Sequence, residues 1–362
     1  MLLLATKGSK RVRLLQAARA QLDLPPARLL EWRDWLADPA LLDAAFGQPC
    51  RFKIEPPGDD PLAHLQLLRL GCQLLDRAPV RAPEHGELLA MDAWFAGFAK
   101  AMERLSIQLA ARPRAHVVNA PAEITLMTDK LACQRHLAEH GVPTPALLGT
   151  VHGYDHLQSL LRQHGLDRVY LKPRYGSSGS GVVAYRRNKT GRQQATTSAS
   201  IVHIHGETRL FNVKRIARHE SDADIAALVD ALAAQELYAE AWLAKPRCGD
   251  SHYDLRVVAI DGQPAHRVAR LGRQMMTNLH LDNQRGDVAT LLNQADLAVL
   301  EATALQAARA FPASGVAGYD LVVRRGQAHV LEANAFGDLL PGLLWQERDT
   351  YAAQLHSLNR HA

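Results

Sequence analysis

Cysteine is scarce in this chain: four in 362 residues, at Cys50, Cys72, Cys133 and Cys248, with no CxxC or Cys/His spacing among them. That leaves neither a zinc site nor a disulfide framework to organise the fold, and it fits a reducing cytoplasm. Long apolar runs are missing too, so nothing matches the roughly 20 consecutive apolar residues of a membrane helix. The opening Leu2-Leu3-Leu4-Ala5 is short, has no basic segment before it and is followed by Lys7, Lys10, Arg11 and Arg13. It reads as a buried first strand, not as a signal peptide. There is no GxxxxGKS/T phosphate loop, no internal repeat and no low-complexity tract. The 42 basic residues exceed the 37 acidic ones by five, for a sequence pI near 9.1. They are mostly arginine and are scattered, not drawn into one stripe interleaved with aromatics. That balance suits small anions and argues against nucleic acid.

What is present is an ordinary soluble composition, 47% hydrophobic and 22% charged, at a length that suits two or three lobes. Met1 to Thr6 reads as a strand, and Lys7-Gly8-Ser9-Lys10 as a turn into an amphipathic helix running towards Ala20. Pro56-Pro57-Gly58-Asp59-Asp60-Pro61 breaks the chain before a helical stretch from Leu62 to Leu75, and Glu87 to Leu109 is again helical by its apolar spacing. Residues 1–115 form an N-terminal α/β lobe on this reading, and 116–362 the main domain, with a smaller lid at about 145–243. In the main domain one helix carries Thr128-Asp129-Lys130 and ends near Gly141, a plausible cap. Strands follow at Arg168 to Lys172, Leu237 to Leu243, Leu255 to Ile260 and Ala265 to Arg270, with a hairpin around Asn188-Lys189-Thr190-Gly191.

The richest feature lies near the C-terminus. Gly318-Tyr319-Asp320-Leu321-Val322-Val323 and Ala328-His329-Val330-Leu331-Glu332-Ala333-Asn334 are adjacent strand-like runs that bring Asp320, Glu332 and Asn334 together. Two carboxylates and an amide oxygen suit magnesium, which prefers hard oxygen ligands and shares them with phosphates. Upstream, Lys172 interrupts an apolar strand just before Pro173 and needs an anionic partner. The loop Gly176-Ser177-Ser178-Gly179-Ser180-Gly181 follows at once, and its amides could fold over phosphates. Asp254-Leu255-Arg256, Arg267, Arg270 and Arg273 lie on or beside consecutive strands, where alternation can gather several on one face. Asn278 and His280 sit in a polar turn of no stated use.

Taken in order, Asn119, Asp129-Lys130, Tyr170-Leu171-Lys172-Pro173, the Gly/Ser loop, Glu240-Ala241-Trp242-Leu243, Asp254-Leu255-Arg256, Arg270, Thr277-Asn278-Leu279, Asp320 and Glu332-Ala333-Asn334 resemble the ATP-grasp superfamily. The resemblance covers about residues 116–342 and is strongest to the branch of ribosomal-protein glutamate ligase and bacterial glutathione synthetase. It implies an ATP-grasp α/β (α+β) fold preceded by a pre-ATP-grasp-like lobe. By the same resemblance Lys130 and Lys172 contact ATP, with Gly176, Ser177, Ser178, Gly179, Ser180 and Gly181 as the lid loop. Glu240, Ala241, Trp242 and Leu243 form the adenine hinge, and Asp254 lies near the nucleotide. Arg256, Arg270 and Asn278 serve catalysis, and Asp320, Glu332 and Asn334 hold two magnesium ions, for which manganese is a substitute. Two departures stand out: Met276 occupies a position where relatives carry arginine, and Ala335-Phe336-Gly337-Asp338 replaces their Ser/Pro-Gly.

The expected activity is an ATP- and magnesium-dependent carboxylate-amine or carboxylate-thiol ligase working through an acyl phosphate. A phosphotransferase on the same fold and a nucleotide-binding protein without turnover are the alternatives. The expected partners are small-molecule or peptide carboxylates and amines, with no membrane and no nucleic acid. The helices of the N-terminal lobe serve either substrate selection or contact between copies of the chain.

Overall fold

The computed structural model describes residues 1–46, 50–58, 60–176, 179–273, 277 and 283–360. The first four residues of the apolar opening form β1 (Leu2–Ala5), buried along its whole length as an interior parallel strand must be. It pairs in parallel with β2 (Arg28–Glu31) and β3 (Cys50–Ile54), and β4 (Ala115–Val117) completes the order β2-β1-β3-β4. Helix α1 (Lys10–Gln21) starts at Ser9, whose hydroxyl accepts from Val12 N. The short α2 (Trp32–Ala37) and α3 (Ala40–Ala45) follow. Next, α4 (Pro61–Leu74) is capped by Asp60 and packs against α5 (Met91–Ala110). These two helices meet at glycines: a Cβ on Gly71 would stand 1.6 Å from Ala93 O, and one on Gly97 would stand 1.9 Å from Leu67 O. Only glycine allows the backbones so close.

The helix expected through Thr128-Asp129-Lys130 is two helices. Asp129 breaks it, ending α6 (Pro121–Thr128) and capping α7 (Lys130–Glu139) by accepting from Ala132 N. Aspartate prefers that cap position to a helix interior, and the break leaves Lys130 at the first turn of α7.

A second sheet is antiparallel throughout. It contains β5 (Leu147–Val151), β6 (Arg168–Pro173), β7 (Val183–Arg187), β8 (Gln193–Ile204), β9 (Glu207–His219) and β10 (Leu237–Ala241), in the order β5-β10-β6-β7-β8-β9. Helices α8 (Tyr154–His164) and α9 (Asp222–Ala233) pack against it. The third sheet is also antiparallel, with β12 (Ser251–Ile260), β13 (Gln263–Gly272), β14 (Gln284–Gly286), β15 (Val316–Arg324) and β16 (Gln327–Asn334) ordered β14-β13-β12-β15-β16, while the two-residue β11 (Arg247–Cys248) folds back on β12. Helices α10 (Val288–Leu291), α11 (Gln294–Arg309) and α12 (Thr350–Arg360) complete the chain. No helix among the described residues is long and apolar enough to cross a membrane.

Burial divides the molecule unevenly. The first and third sheets share one continuous core, in which Leu2, Phe52, Phe98, Ile124, Leu255, Tyr319 and Val330 belong to a single cluster. The second sheet has a separate core of its own, including Val169, Val183, Ile225 and Leu237, and Leu88 from the N-terminal region joins it. The sequence places Glu87 in a helix, whereas the structure starts α5 at Met91 and lays Glu87 antiparallel to Phe211 of β9. Leu88 N donates to Leu210 O (2.8 Å) and Asn212 N donates to Gly86 O (2.7 Å), so residues 86–88 form a strap on an edge strand. An edge strand offers unpaired backbone groups, and the strap satisfies part of that demand.

Candidate active site

The third sheet gathers its charged residues by register. Asp254 and Arg256 are two apart on β12 and share a face. Pairing sets Asp254 opposite Arg270 of β13, Arg256 opposite Asp320 of β15, and Asp320 opposite Glu332 of β16. Asn334 follows Glu332 by two and lies on the same face, where its Nδ2 donates to Gly318 O (3.4 Å). Arg267 falls on the opposite face of β13 and pairs with Glu301 of α11.

These side chains form a chain of alternating charge. Lys245 Nζ donates to Asp254 Oδ2 (2.8 Å) and to Thr277 Oγ1 (2.7 Å), and the threonine hydroxyl donates to the same carboxylate oxygen (2.6 Å). Arg270 Nε donates to Asp254 Oδ1 (2.7 Å), and its Nη2 stands 3.0 Å from Asp320 Oδ2. Arg256 Nε donates to Asp320 Oδ1 and its Nη2 to Oδ2 (3.1 Å), while Nη1 reaches Asp338 Oδ2 (3.2 Å). The order is therefore Lys245, Asp254, Arg270, Asp320, Arg256, Asp338. Burial raises the Asp254 and Asp320 carboxyls, but the flanking cations outweigh it and hold both below the usual aspartate range. Burial lowers the Lys245 ammonium even with Asp254 beside it.

The second sheet and α7 supply the facing side. Lys172 on β6 is matched with Tyr238 of β10, two residues before Glu240, and Lys172 Nζ meets Glu240 Oε1 at 2.5 Å and Leu331 O at 3.4 Å. The anion that the buried lysine requires is thus a protein carboxylate. Lys130 at the start of α7 pairs with Glu332. Asp129 is held by Arg174 in a two-point ion pair (2.8 and 2.6 Å) that ties α7 to the end of β6. A cavity of about 10 Å³ lies between Lys130, Lys172, Glu332 and residues such as Met127, Cys133 and Tyr238. That is room for about one water molecule.

The hinge end carries unsatisfied polar atoms. Glu240 is 1% exposed, and its Oε2 has no hydrogen-bond partner; the Gln134 amide beside it donates to Pro145 O (3.0 Å). Burial raises the Glu240 carboxyl despite Lys172. Tyr170 OH is likewise buried without a partner, and its ring packs against Trp242 with centroids 4.9 Å apart. Leaving such an atom unpaired costs about 1–3 kcal/mol. Ala241 ends β10, and Trp242 and Leu243, expected within that strand, lie just beyond it.

Gly176, Gly179, Ser180 and Gly181 lie between β6 and β7, whereas Ser177 and Ser178 are outside the described residues. The stem of this loop rests on β8, since Thr197 Oγ1 donates to Val182 O (2.8 Å) and Ser198 Oγ to Gly179 O (3.4 Å). Phe95 of α5 stacks on Tyr175 at its entrance (4.2 Å). Asn278, Met276 and His280 also fall outside the described residues. The sequence reading missed Lys245, Thr277 as a donor to Asp254, and Asp338 as an ion-pair partner.

Among the described residues, no group of three or more His, Cys, Asp or Glu side chains could hold a metal. The donor set to weigh is therefore Asp320, Glu332 and the Asn334 amide, all oxygen and on one face. It fits a small hard cation, with phosphate oxygens left to complete the shell.

No family model matches the chain, and no curated protein matches it in sequence. Its architecture does find counterparts. The D-cycloserine synthetase DcsG aligns over 99% of both chains with a TM-score of 0.57 at 16% identity. The ATP-grasp ligase PsnB, complexed with a phosphomimetic variant of minimal precursor, Mg and ADP, aligns over 99% of this chain and 97% of its own, with a TM-score of 0.57 at 13% identity. Carboxyaminoimidazole ribonucleotide synthase from Aspergillus clavatus, complexed with ATP, aligns over 99% of this chain and 76% of its own, with a TM-score of 0.55 at 13% identity. At such identities the likeness is one of fold, and the chain has the ATP-grasp fold.

Proposed function

We propose that this protein is an ATP- and magnesium-dependent ligase that joins a carboxylate to an amine or thiol through an acyl phosphate. The observation that carries the reading is the pairing of cations and acids with one another. Cations placed to meet phosphates (Lys130, Arg256, Arg270) are paired with the acids suited to a metal (Glu332, Asp320). A metal-nucleotide complex brings both complementary charges at once, so each ion pair can open without stranding a buried charge.

On this reading Lys130 and Lys172 hold phosphates, and the loop Gly176–Gly181 covers them. The orphaned Glu240 Oε2 and the backbone from Glu240 to Leu243 take the adenine edge. Asp320, Glu332 and Asn334 would hold magnesium, which when bound supplies charge neutralisation at the phosphates. Arg256 and Arg270 stabilise the transferred phosphoryl group and the acyl phosphate. Asp254, with both oxygens engaged by Arg270, Lys245 and Thr277, acts as a positioning residue for the two cations. Catalysis then rests on positioning and electrostatics, and no protein nucleophile is needed. The test is release of ADP and phosphate across a panel of carboxylates and amines by wild type and Glu332→Ala. Loss of at least about a hundredfold is expected for the variant, and equal rates would overturn the metal assignment.

A further inference from the structure

The alternating chain has one weak link. Asp254 and Asp320 are 2% and 5% exposed, and their oxygens are engaged by buried cations. Asp338 differs, since its side chain is 34% exposed and a single 3.2 Å contact joins it to Arg256. Buried pairs resist opening because either partner alone would be stranded, whereas exposed pairs contribute little and exchange readily with other ions. Arg256 therefore has a fixed end, Nε and Nη2 on Asp320, and an exchangeable end, Nη1 on Asp338.

The backbone holds Asp338 at that position independently of the contact. Arg11 of α1 donates to Phe336 O (2.8 Å) and Gly337 O (3.3 Å), the two residues before it. Gly337 has φ +60, and a Cβ there would stand 2.8 Å from Val316 Cγ1, so the turn requires glycine. Asp338 Oδ1 accepts from Leu339 N (2.7 Å), which leaves Oδ2 towards Arg256. The carboxylate is thus presented to Arg256 Nη1 by a fixed turn.

We infer that Asp338 is an internal stand-in for an anionic substrate group: it occupies Arg256 Nη1 until the phosphoryl or acyl-phosphate oxygens take its place, and returns to eject phosphate. The inference rests on the ligase reading, which puts Arg256 at the transferred group. It makes Asp338 a positioning residue that competes with the anion it prepares for, so removing its charge strengthens anion binding. A residue needed only for the turn, or for metal binding, gives no such gain.

The test is calorimetric titration of inorganic phosphate into the full-length protein loaded with Mg·ADP. Asp338→Asn keeps the acceptor for Leu339 N and removes the charge; Asp338→Ser is a second variant should the first fold poorly. Phosphate is expected to bind about two- to fivefold more tightly to the variant than to wild type, the worth of an exposed ion pair. The gain should vanish in Asp338→Asn combined with Arg256→Ala. Unchanged affinity would reduce Asp338 to a turn residue, and weaker binding would make it a metal or phosphate ligand; either overturns the inference. Mg·ADP binding is measured first in the same cell. If wild type fails to bind it, the ligase reading itself falls, whereas binding without a gain in phosphate affinity sinks only the role of Asp338.

Discussion

The first and third sheets are one body, and the second is another. Leu2 and Phe52 lie in the same core as Leu255 and Val330, whereas Val169, Val183 and Ile225 lie in a second core that Leu88 joins. Two separate cores predict separate opening. A shared core must break to let its sheets separate, while a sheet with a private core can swing as a unit on its connections. The acids and arginines lie on the sheets of the shared core, and Lys172 and Glu240 lie on the sheet with the separate one.

The largest effect should come from breaking the third sheet's charge chain. Asp320→Ala removes the buried carboxylate that Arg256 and Arg270 share and should destabilise the protein by about 3–5 kcal/mol in urea unfolding. A change below about 1 kcal/mol would mean that the chain is solvated and the third sheet less rigid than its burial implies. Next comes Leu88→Ala, which removes the strap's anchor in the second core. A loss of about 2–3 kcal/mol is expected, read by hydrogen exchange as faster opening of β8 and β9. Equal acceleration in β12 and β15 would show that the two bodies open together and would dissolve the distinction.

Acid separates the bodies by sign. The Asp254 and Asp320 carboxyls are held below the ordinary value of 3.8, so the stability they contribute is present above that pH and is lost as pH falls below it. Glu240, raised by burial, behaves oppositely: protonation favours its folded state, and stability there declines as pH rises from the ordinary value of 4.5 towards the raised one. Acid titration followed by exchange should open the third sheet before the hinge, and Asp254→Asn should weaken that dependence. The smallest effect belongs to Arg209→Ala, which deletes the ion pair between β9 and Glu84, two residues before the strap (2.8 Å). With Glu84 largely exposed, it should cost no more than about 1 kcal/mol.

Much of the site was legible because it lies on strands. Period-two alternation put Asp254 with Arg256 and Glu332 with Asn334, and the adjacency of the two runs predicted that Asp320 meets Glu332. The sequence groups Arg267 with Arg256 and Arg270, but the structure puts it on the other face of β13, paired with Glu301. Lys172 announced itself by interrupting an apolar strand, although its partner proved to be Glu240. Lys245 gave no such signal, since a lysine in a loop before Pro246 looks solvated, and only the fold-back of β11 on β12 carries it to Asp254. The break at Asp129 was readable in principle from its preference for helix starts. The strap was not, because residues 86–88 acquire a partner only when β9, far along the chain, is in place.

The most direct measurement is the mass of the product formed from ATP, magnesium, a carboxylate panel and an amine panel. Condensation of an acid with an amine, matched mole for mole by ADP and free phosphate, is the predicted result. A phosphate ester as the only product, or nucleotide binding with no turnover on any pair, would contradict the assignment of this cleft to ligation.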